Sequence, residues 1–269
     1  MAPWYVALLM GLVEGLTEFL PVSSTGHLIL AGHLMGFTGP KAQTFEIAIQ
    51  LGAILSVVVL YRERFTGLLR SNPARTFSGL RGQLLLFLTS LPALVVGFLA
   101  HHAIRKHLFG PHTVALAFAL GAVAMIAVEA HAARQSRVRK VAGLDSLSPG
   151  LALGIGCFQC LSLWPGFSRS GATIMGGMLL NVDRRTAAEY SFLAAVPVMC
   201  AAVGYDLLLN WHSLEPGDLG FLAAGFVVSF FAAIAAVKIF IGLVSRMTLV
   251  PFALYRLALA PLVWFFWPA

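Results

Sequence analysis

The sequence predicts an all-α fold: a polytopic membrane protein with six transmembrane helices and two re-entrant helical hairpins in an inverted-topology repeat. Of the 269 residues, 59% are hydrophobic and only 11% are charged, and the mean hydropathy is +0.86. Soluble domains carry about 25% charged residues, so a water-soluble fold of this length could not cover its surface. We therefore expect lipid to cover a single membrane domain that spans residues 1–269.

The chain is basic, with a net charge of +7 at pH 7 and a pI near 9.8. Such a charge can indicate nucleic acid binding. Here the Lys and Arg residues lie mainly in short loops between apolar runs, which is where membrane topology places them. The sequence therefore predicts membrane lipids as partners and no nucleic acid.

Six apolar runs are long enough to cross a bilayer, which needs about 20 mostly apolar residues. All six should be α-helical, because backbone groups in hydrocarbon must be hydrogen-bonded within their own segment. The runs cover residues 43–61, 82–101, 112–131, 186–208, 217–243 and 249–267.

Two further apolar stretches, 4–35 and 147–180, are interrupted in the middle. Pro21 and a run of Ser, Thr and Gly break the first stretch, and Pro165 and Gly166 begin the break in the second. Each stretch therefore predicts two short helices joined at a polar turn, which enter and leave the membrane on one side. Irregular backbone at that depth is tolerated where it is buried in protein or lines a wet cavity.

Loop charge predicts the orientation. Three loops, at 62–81, 134–140 and 184–185, carry eleven Lys and Arg residues, whereas Asn210–Gly217 carries none. By the positive-inside rule the arginine-bearing loops are cytoplasmic and Asn210–Gly217 is outside, which also places both termini outside. Arg105–Lys106 must then lie outside as well, against the rule.

The chain repeats itself weakly at a shift of 145 positions, and the shift superposes the two broken stretches. The halves, about 1–131 and 147–269, would each hold one hairpin and three spans, and an odd number of spans inverts the second half. Inverted repeats with broken helices place their site at the interface of the halves, near mid-membrane. Aligned pairs are Glu14 with Gln159, Ser23 with Ser168, Thr25 with Ser170 and Gly26 with Gly171.

Ionisable residues inside a membrane are candidates for a functional site, because each costs about 2.5–3.5 kcal/mol at a helix centre. The first hairpin carries Glu14 and Glu18 on one helix face, followed by Ser24 and His27. The two glutamates repel each other, so they should bind a metal ion, Arg169 or a shared proton. His27 follows a serine by three residues in a buried turn, which suits a general acid–base better than a filler of a polar gap.

The second break, Pro165–Thr173, indicates an anion site. A helix that restarts near Ser170 directs free N–H groups and its positive dipole end at the turn, and Arg169 offers a planar fork for phosphate oxygens. The hydroxyls also suit helix capping, with Arg169 paired to a glutamate, but capping does not explain an arginine inside the membrane. The candidates for binding the anion are Ser23, Thr25, Gly26, Gln50, Ser168, Ser170, Gly171 and Thr173.

Two segments carry a resemblance to a known family: Glu14–His27, with the sequence EGLTEFLPVSSTGH, and Pro165–Thr173, with PGFSRSGAT. They resemble the signature motifs of bacterial undecaprenyl-diphosphate phosphatases, the bacitracin-resistance proteins. The resemblance continues through residues 44–50, 189–197 and 251–256, so it spans nearly the whole chain. Both motifs are long and chemically unusual, which makes the match specific.

The resemblance implies hydrolysis of the terminal phosphate of undecaprenyl diphosphate, which returns the monophosphate carrier lipid to cell-wall synthesis. It also implies a site open to the periplasm in the bacterial inner membrane, and dependence on a divalent cation, Mg²⁺ or Ca²⁺. By motif position Glu14, Glu18, Ser24, His27 and Arg169 match the family's functional residues. A homodimer is compatible with the sequence.

We expect Arg169 to hold the diphosphate, with the cation near Glu14 and Glu18. Ser24 would attack the terminal phosphorus while His27 handles protons. Direct attack by an activated water, with Ser24 only binding phosphate, stays open as a second mechanism.

Two other functions remain open from the sequence. A secondary transporter would also have inverted repeats and broken helices, and a lipid-binding protein would keep the anion site without a nucleophile. The cluster of Ser24, His27 and Glu18 facing Arg169 favours the enzyme, because neither alternative needs it.

Overall fold

The computed structural model describes residues 2–72, 74–135, 138–210 and 216–266. The predicted outer loop, Asn210–Gly217, and the predicted end of the last span, residue 267, fall partly outside these ranges. The described chain is helical, as predicted. The helices are α1 (Trp4–Thr17), α2 (Ser24–Leu34), α3 (Pro40–Leu60), α4 (Arg62–Gly67), α5 (Gly79–Leu108), α6 (Pro111–Arg134), α7 (Pro149–Gln159), α8 (Arg169–Leu179), α9 (Arg184–Asn210), α10 (Leu219–Val244) and α11 (Val250–Phe266).

Five helices of the described ranges, α3, α5, α6, α9 and α10, are long and apolar enough to cross a membrane. Each contains most of one predicted run, although α5 continues to Leu108, seven residues beyond the predicted end. The sixth predicted run forms α11, which has 17 described residues. At 1.5 Å per residue α11 is about 25 Å long, less than the roughly 30 Å of a hydrocarbon core.

Both interrupted stretches form two short helices at the predicted positions. α1 and α2 are separated by a turn at residues 18–23, and α7 and α8 by a short 3₁₀ segment and a turn at 160–168. Ser23 and Ser168, which the 145-residue shift aligns, each stand directly before the second helix. Their φ angles are 70° and 79°, a left-handed conformation that non-glycine residues rarely adopt. We call these two turns the first and the second break.

The packing interleaves the two halves of the chain. α1 lies on α10 and α7 lies on α5, while α3 packs on α9 and α6 on α11. A Cβ atom at Gly11 would lie 2.5 Å from the carbonyl oxygen of Gly225, and one at Gly156 would lie 2.6 Å from that of Thr89. Small residues at these two positions, again 145 apart, therefore let the helix backbones approach closely.

The starts of α1, α3 and α10 lie together at one end of the bundle. The ring of Trp4 is 6.2 Å from that of Phe221, and Nζ of Lys41 is 3.6 Å from Oδ2 of Asp218. We call this the Lys41 end.

The opposite end, the Glu129 end, joins the end of α6 to the starts of α9 and α11. Oε2 of Glu129 is 2.5 Å from Nη2 of Arg184, and Oε1 accepts a hydrogen bond of 2.7 Å from the backbone N–H of Leu249. Arg64 pairs with Asp145 at 3.3 Å, which ties α4 to the segment before α7. The short helices therefore enter from opposite ends, α1 from the Lys41 end and α7 from the Glu129 end.

Arg256 of α11 joins the two breaks at the centre of the bundle. Its side chain is fully buried and donates hydrogen bonds of 2.7–3.4 Å to five backbone carbonyl oxygens. Charged donors make the stronger hydrogen bonds, and each carbonyl left without a partner in this interior would be costly. The five carbonyls are those of Pro21 in the first break, Gly166 and Phe167 in the second, and Ala117 and Phe118 in α6.

We predict that Arg256→Lys destabilises the fold by about 3 kcal/mol or more, because an ammonium has three donors and no planar fork. The thermal unfolding midpoint in detergent measures the loss. Arg185→Lys is the matched control, since Arg185 pairs with Glu189 at 3.0 Å on a more exposed surface and should change stability by less than about 1 kcal/mol. Equal midpoints for the two variants would contradict the role of Arg256.

Candidate active site

A cavity of about 130 Å³ lies between the two breaks. Since a water molecule occupies about 30 Å³ in the liquid, the cavity suits a group of the size of a phosphate and not a lipid chain. The first break and the start of α2 contribute Glu18, Ser23, Ser24 and Thr25. The second break and the start of α8 contribute Ser162, Pro165, Gly166, Ser168 and Arg169, and the long helices contribute Gln50 and Met199.

The starts of α2 and α8 both line this cavity, so two positive helix ends meet there. The first N–H groups of a helix have no acceptor within the helix. Ser23 makes no side-chain cap bond to α2, whereas Oγ of Ser168 accepts a bond of 3.1 Å from the N–H of Gly171 in α8. The side chain of Ser23 therefore leaves the first N–H groups of α2 uncapped, an arrangement that suits an anionic ligand.

Glu18 contacts both the hydroxyl of Ser24 and the charged side chain of Arg169. Oγ of Ser24 donates a hydrogen bond to Oε2 of Glu18, and Oε1 of Glu18 lies 3.1 Å from Nη2 of Arg169. Glu18 and Ser24 are both buried. A carboxylate that accepts a hydrogen bond from a serine hydroxyl is placed to take its proton, and so to activate the oxygen as a nucleophile.

Two nitrogens of the Arg169 guanidinium, Nη1 and Nη2, donate hydrogen bonds to protein groups, whereas Nε does not. Nη1 donates to the carbonyl oxygen of Ser191 at 3.0 Å, and the guanidinium carbon lies 5.5 Å from the ring centroid of Phe19. Nε is buried and has no hydrogen-bond partner among the described residues. A buried donor without a partner is costly, so Arg169 can gain from an anionic ligand.

Glu14 is fully buried one turn before Glu18, and it does not line the cavity. Neither of its carboxylate oxygens has a hydrogen-bond partner among the described residues, and Glu18, Glu46 and Arg169 are near enough to interact with it electrostatically. An ionised carboxylate in such surroundings needs a proton or a cation.

A divalent cation is compatible with Glu14. Mg²⁺ and Ca²⁺ prefer oxygen ligands, and Mg²⁺ often uses one or two carboxylates together with phosphate oxygens and water. Each oxygen of Glu18 accepts one hydrogen bond, from Ser24 or Arg169, whereas those of Glu14 have no partner among the described residues. No group of three or more Asp, Glu, His or Cys side chains in the described ranges is arranged to hold a metal ion.

His27 lies beside the cavity, and its two nitrogens bind elsewhere. Nδ1 is 2.7 Å from the carbonyl oxygen of Ser23, and Nε2 is 2.7 Å from the hydroxyl of Tyr255. The side chain that contacts the hydroxyl of Ser24 is Glu18. The proposed acid–base role of His27 toward Ser24 therefore stays a prediction that this geometry does not support.

Four of the predicted anion-binding residues, Ser23, Thr25, Gln50 and Ser168, line the cavity. The hydroxyls of two others bind protein. Oγ of Ser170 donates to the carbonyl oxygen of Leu20 at 2.8 Å, which links the second break to the first. Oγ1 of Thr173 lies 2.6 Å from Oγ of Ser191 and so links α8 to α9.

The two predicted glycines serve packing against α6. A Cβ atom at Gly26 would lie 2.1 Å from the ring of Phe118, and one at Gly171 would lie 2.9 Å from Cε of Met125. A side chain at position 26 would therefore displace the ring of Phe118, whereas one at position 171 would displace only the flexible end of Met125.

Sequence reasoning did not identify Ser191, Met199 or Tyr255 as residues of the site. Ser191 and Met199 lie eight residues apart, on about the same face of α9, and both contact Arg169. A serine in an apolar run could have indicated Ser191. Met199 has no such signal, because methionine is an ordinary residue of an apolar helix.

The comparison with known proteins covers nearly the whole chain. A family model described as bacitracin resistance protein BacA matches residues 7–262. An undecaprenyl-diphosphatase of Nitratidesulfovibrio vulgaris (strain DP4) is 65% identical over 266 residues, which cover 99% of each chain. One of Maridesulfovibrio salexigens is 62% identical over 267 residues, covering 99% of this chain and 100% of the relative, and one of Lawsonia intracellularis is 52% identical over 259 residues, 96% of each. The chain belongs to the BacA family of bacitracin resistance proteins.

Proposed function

We propose that the protein is an integral membrane phosphatase, which hydrolyses undecaprenyl diphosphate to undecaprenyl phosphate and inorganic phosphate. This reaction recycles the carrier lipid of cell-wall synthesis and confers bacitracin resistance. The observation that carries the proposal is a buried serine hydroxyl, bonded to a carboxylate, in a phosphate-sized cavity where two helix starts and an arginine meet. The relatives named undecaprenyl-diphosphatase supply the identity of the lipid.

The position of Glu18 favours an enzyme over a transporter or a lipid-binding protein. A site that only binds phosphate gains nothing from a carboxylate in its wall, because like charges repel. A phosphatase uses the same carboxylate as a base. The contact between Ser24 and Glu18 therefore distinguishes the proposed function from the two alternatives.

The reaction proceeds in two steps. Oγ of Ser24 attacks the terminal phosphorus and passes its proton to Glu18, the anhydride P–O bond breaks, and undecaprenyl phosphate leaves. Protonation weakens the pairing of Glu18 with Arg169, which frees the guanidinium to bind the phosphoryl oxygens. A water then attacks the phosphoserine, the bond between phosphorus and Oγ of Ser24 breaks, and Glu18 returns its proton to that oxygen. This step releases phosphate and restores both the serine hydroxyl and the ionised carboxylate.

A divalent cation, Mg²⁺ or Ca²⁺, completes the site in this proposal. Glu14 would hold it, since its two oxygens have no other partner among the described residues. Bound there, the cation would neutralise charge on the diphosphate.

For the membrane arrangement we propose six spans, with α11 as the sixth, and two re-entrant hairpins that enter from opposite sides in an inverted repeat. The position of Gln50 in the middle of α3 supports a cavity near mid-membrane. Eleven Lys and Arg residues of the described ranges lie near the Glu129 end, whereas Lys41, Arg105 and Lys106 lie near the other. The positive-inside rule then makes the Glu129 end cytoplasmic and opens the site to the periplasm, with both termini outside.

The assay of the purified protein tests the function. We expect release of inorganic phosphate from undecaprenyl diphosphate, loss of this activity with EDTA, and its recovery with Mg²⁺ or Ca²⁺.

Arg169→Lys tests the role of the arginine. The variant keeps the charge but lacks the planar fork, and we expect a loss of activity of about 100-fold or more. Full activity after exhaustive chelation would refute the cation, and a near-wild-type Arg169→Lys enzyme would refute the role of the arginine.

Ser24→Ala separates the two mechanisms. Loss of the nucleophile should reduce turnover to background, whereas loss of one hydrogen bond to a charged group costs about 1.5–3 kcal/mol, or roughly 10- to 200-fold. Acid quench during turnover should also trap a phosphoserine in the wild type. Ser162→Ala is the matched control, since Ser162 lines the same cavity but donates to the carbonyl oxygen of Gln159 at 2.7 Å. A tenth of wild-type activity in Ser24→Ala, with no trapped phosphoserine, would favour an activated water.

The orientation is tested by labelling cysteines in a background where Cys157, Cys160 and Cys200 are replaced. An impermeant thiol reagent should label Thr38→Cys in intact cells and should label Ser245→Cys only after lysis. Both residues are exposed and lie between helices, Thr38 at the Lys41 end and Ser245 at the Glu129 end. The reverse labelling would overturn the orientation.

A further inference from the structure

We infer that His27 is a positioning residue. The Ser23 carbonyl selects its Nδ1–H tautomer, Tyr255 donates to its Nε2, and the bond to the carbonyl sets the conformation before Ser24. This inference rests on the proposed function, because it assigns the proton transfer from Ser24 to Glu18 alone. It makes Tyr255 a further residue on which the geometry of the reaction depends.

The hydrogen bonds of His27 determine its tautomer. The partner of Nδ1 is a backbone carbonyl oxygen, which can only accept, so Nδ1 must carry a hydrogen. In a neutral imidazole Nε2 is then the acceptor, and the hydroxyl of Tyr255 donates to it. The two rings are nearly parallel, at 8°, with their centroids 5.6 Å apart. With both nitrogens engaged in this way, neither faces the hydroxyl of Ser24.

The backbone that His27 holds is a strained one. Ser23 has a φ of 70°, and a non-glycine residue keeps such a conformation only when its surroundings impose it. Ser23 leads directly into Ser24, so a change in its conformation would move the hydroxyl away from Glu18. The bond from Nδ1 to the Ser23 carbonyl therefore fixes the direction in which the nucleophile points.

In the second break, a side-chain hydrogen bond of the serine itself takes the place of the bond from His27. Ser168 has nearly the same φ, 79°, but there its own Oγ accepts from the N–H of Gly171 and closes the turn. Ser23 makes no such bond. His27 stabilises the first break through the carbonyl instead, which leaves the N–H groups at the start of α2 free for phosphate.

Two amide substitutions separate positioning from proton transfer. His27→Asn places an amide N–H near the position of Nδ1 and can still donate to the Ser23 carbonyl, whereas His27→Gln reaches toward Tyr255 and cannot. We expect His27→Asn to keep kcat within about tenfold of the wild type, with an unchanged pH–rate profile, and His27→Gln to lose about 100-fold or more. A proton carrier predicts equal losses, because neither amide titrates, and loss of one limb of the profile. That outcome would overturn the inference.

The tautomer can be observed without substrate. In protein labelled with ¹⁵N-histidine, NMR should show a neutral Nδ1–H imidazole whose signals disappear in His27→Asn, and Tyr255→Phe should lower the fraction of that tautomer. A wild-type His27 with its hydrogen on Nε2 would refute the inference. Because this measurement needs no turnover, it fails or succeeds independently of the proposed substrate, and it also remains available if a variant proves too unstable to assay.

Discussion

The fold depends on one buried cation that has carbonyl oxygens as its partners. Two helix breaks inside a membrane domain leave backbone carbonyls without helical donors, and in an interior without water each such group is costly. Arg256 meets this need with the one side chain that has five N–H groups in a planar fork. Two of its acceptors, the carbonyls of Pro21 and Gly166, stand 145 positions apart, so one guanidinium holds the same point of both breaks. The distance between the breaks, and with it the width of the cavity, is thereby fixed.

The second buried arginine has a different function because its surroundings differ. All the described hydrogen-bond acceptors of Arg256 are backbone carbonyls, which suits a structural role. Arg169 is bound to Glu18 and to the carbonyl of Ser191, and it retains a buried Nε without a described partner. A phosphate that binds beside it offers more acceptors than the protein does. The sequence presents both residues only as arginines within apolar segments, and only their partners in the fold distinguish them.

The sequence predicts those features that local chemistry determines. Long apolar runs gave the spanning helices, and Pro, Gly and Ser gave both breaks, because these effects act within a few residues. It could not predict which hydroxyls face the cavity, since successive residues of a helix point about 100° apart and tertiary packing sets the rotation. Thus Ser168 lines the cavity, whereas Ser170 and Thr173 bind Leu20 and Ser191. The sequence could not predict the contact between His27 and Tyr255 either, because the two residues are 228 positions apart in the chain.

The two halves of the repeat carry different residues at one equivalent position of the site. At the 145-residue shift Ser24 corresponds to Arg169, and each is the first residue of its short helix. Convergence of the two breaks therefore brings both first residues, together with both positive helix ends, to one cavity. The first half has a serine hydroxyl at this position and the second half has a guanidinium. Glu18, whose counterpart at the same shift is Leu163, bonds to both and so couples the proton of one to the charge of the other. The repeat supplies the geometry of an anion site, and the differences between its halves supply the chemistry.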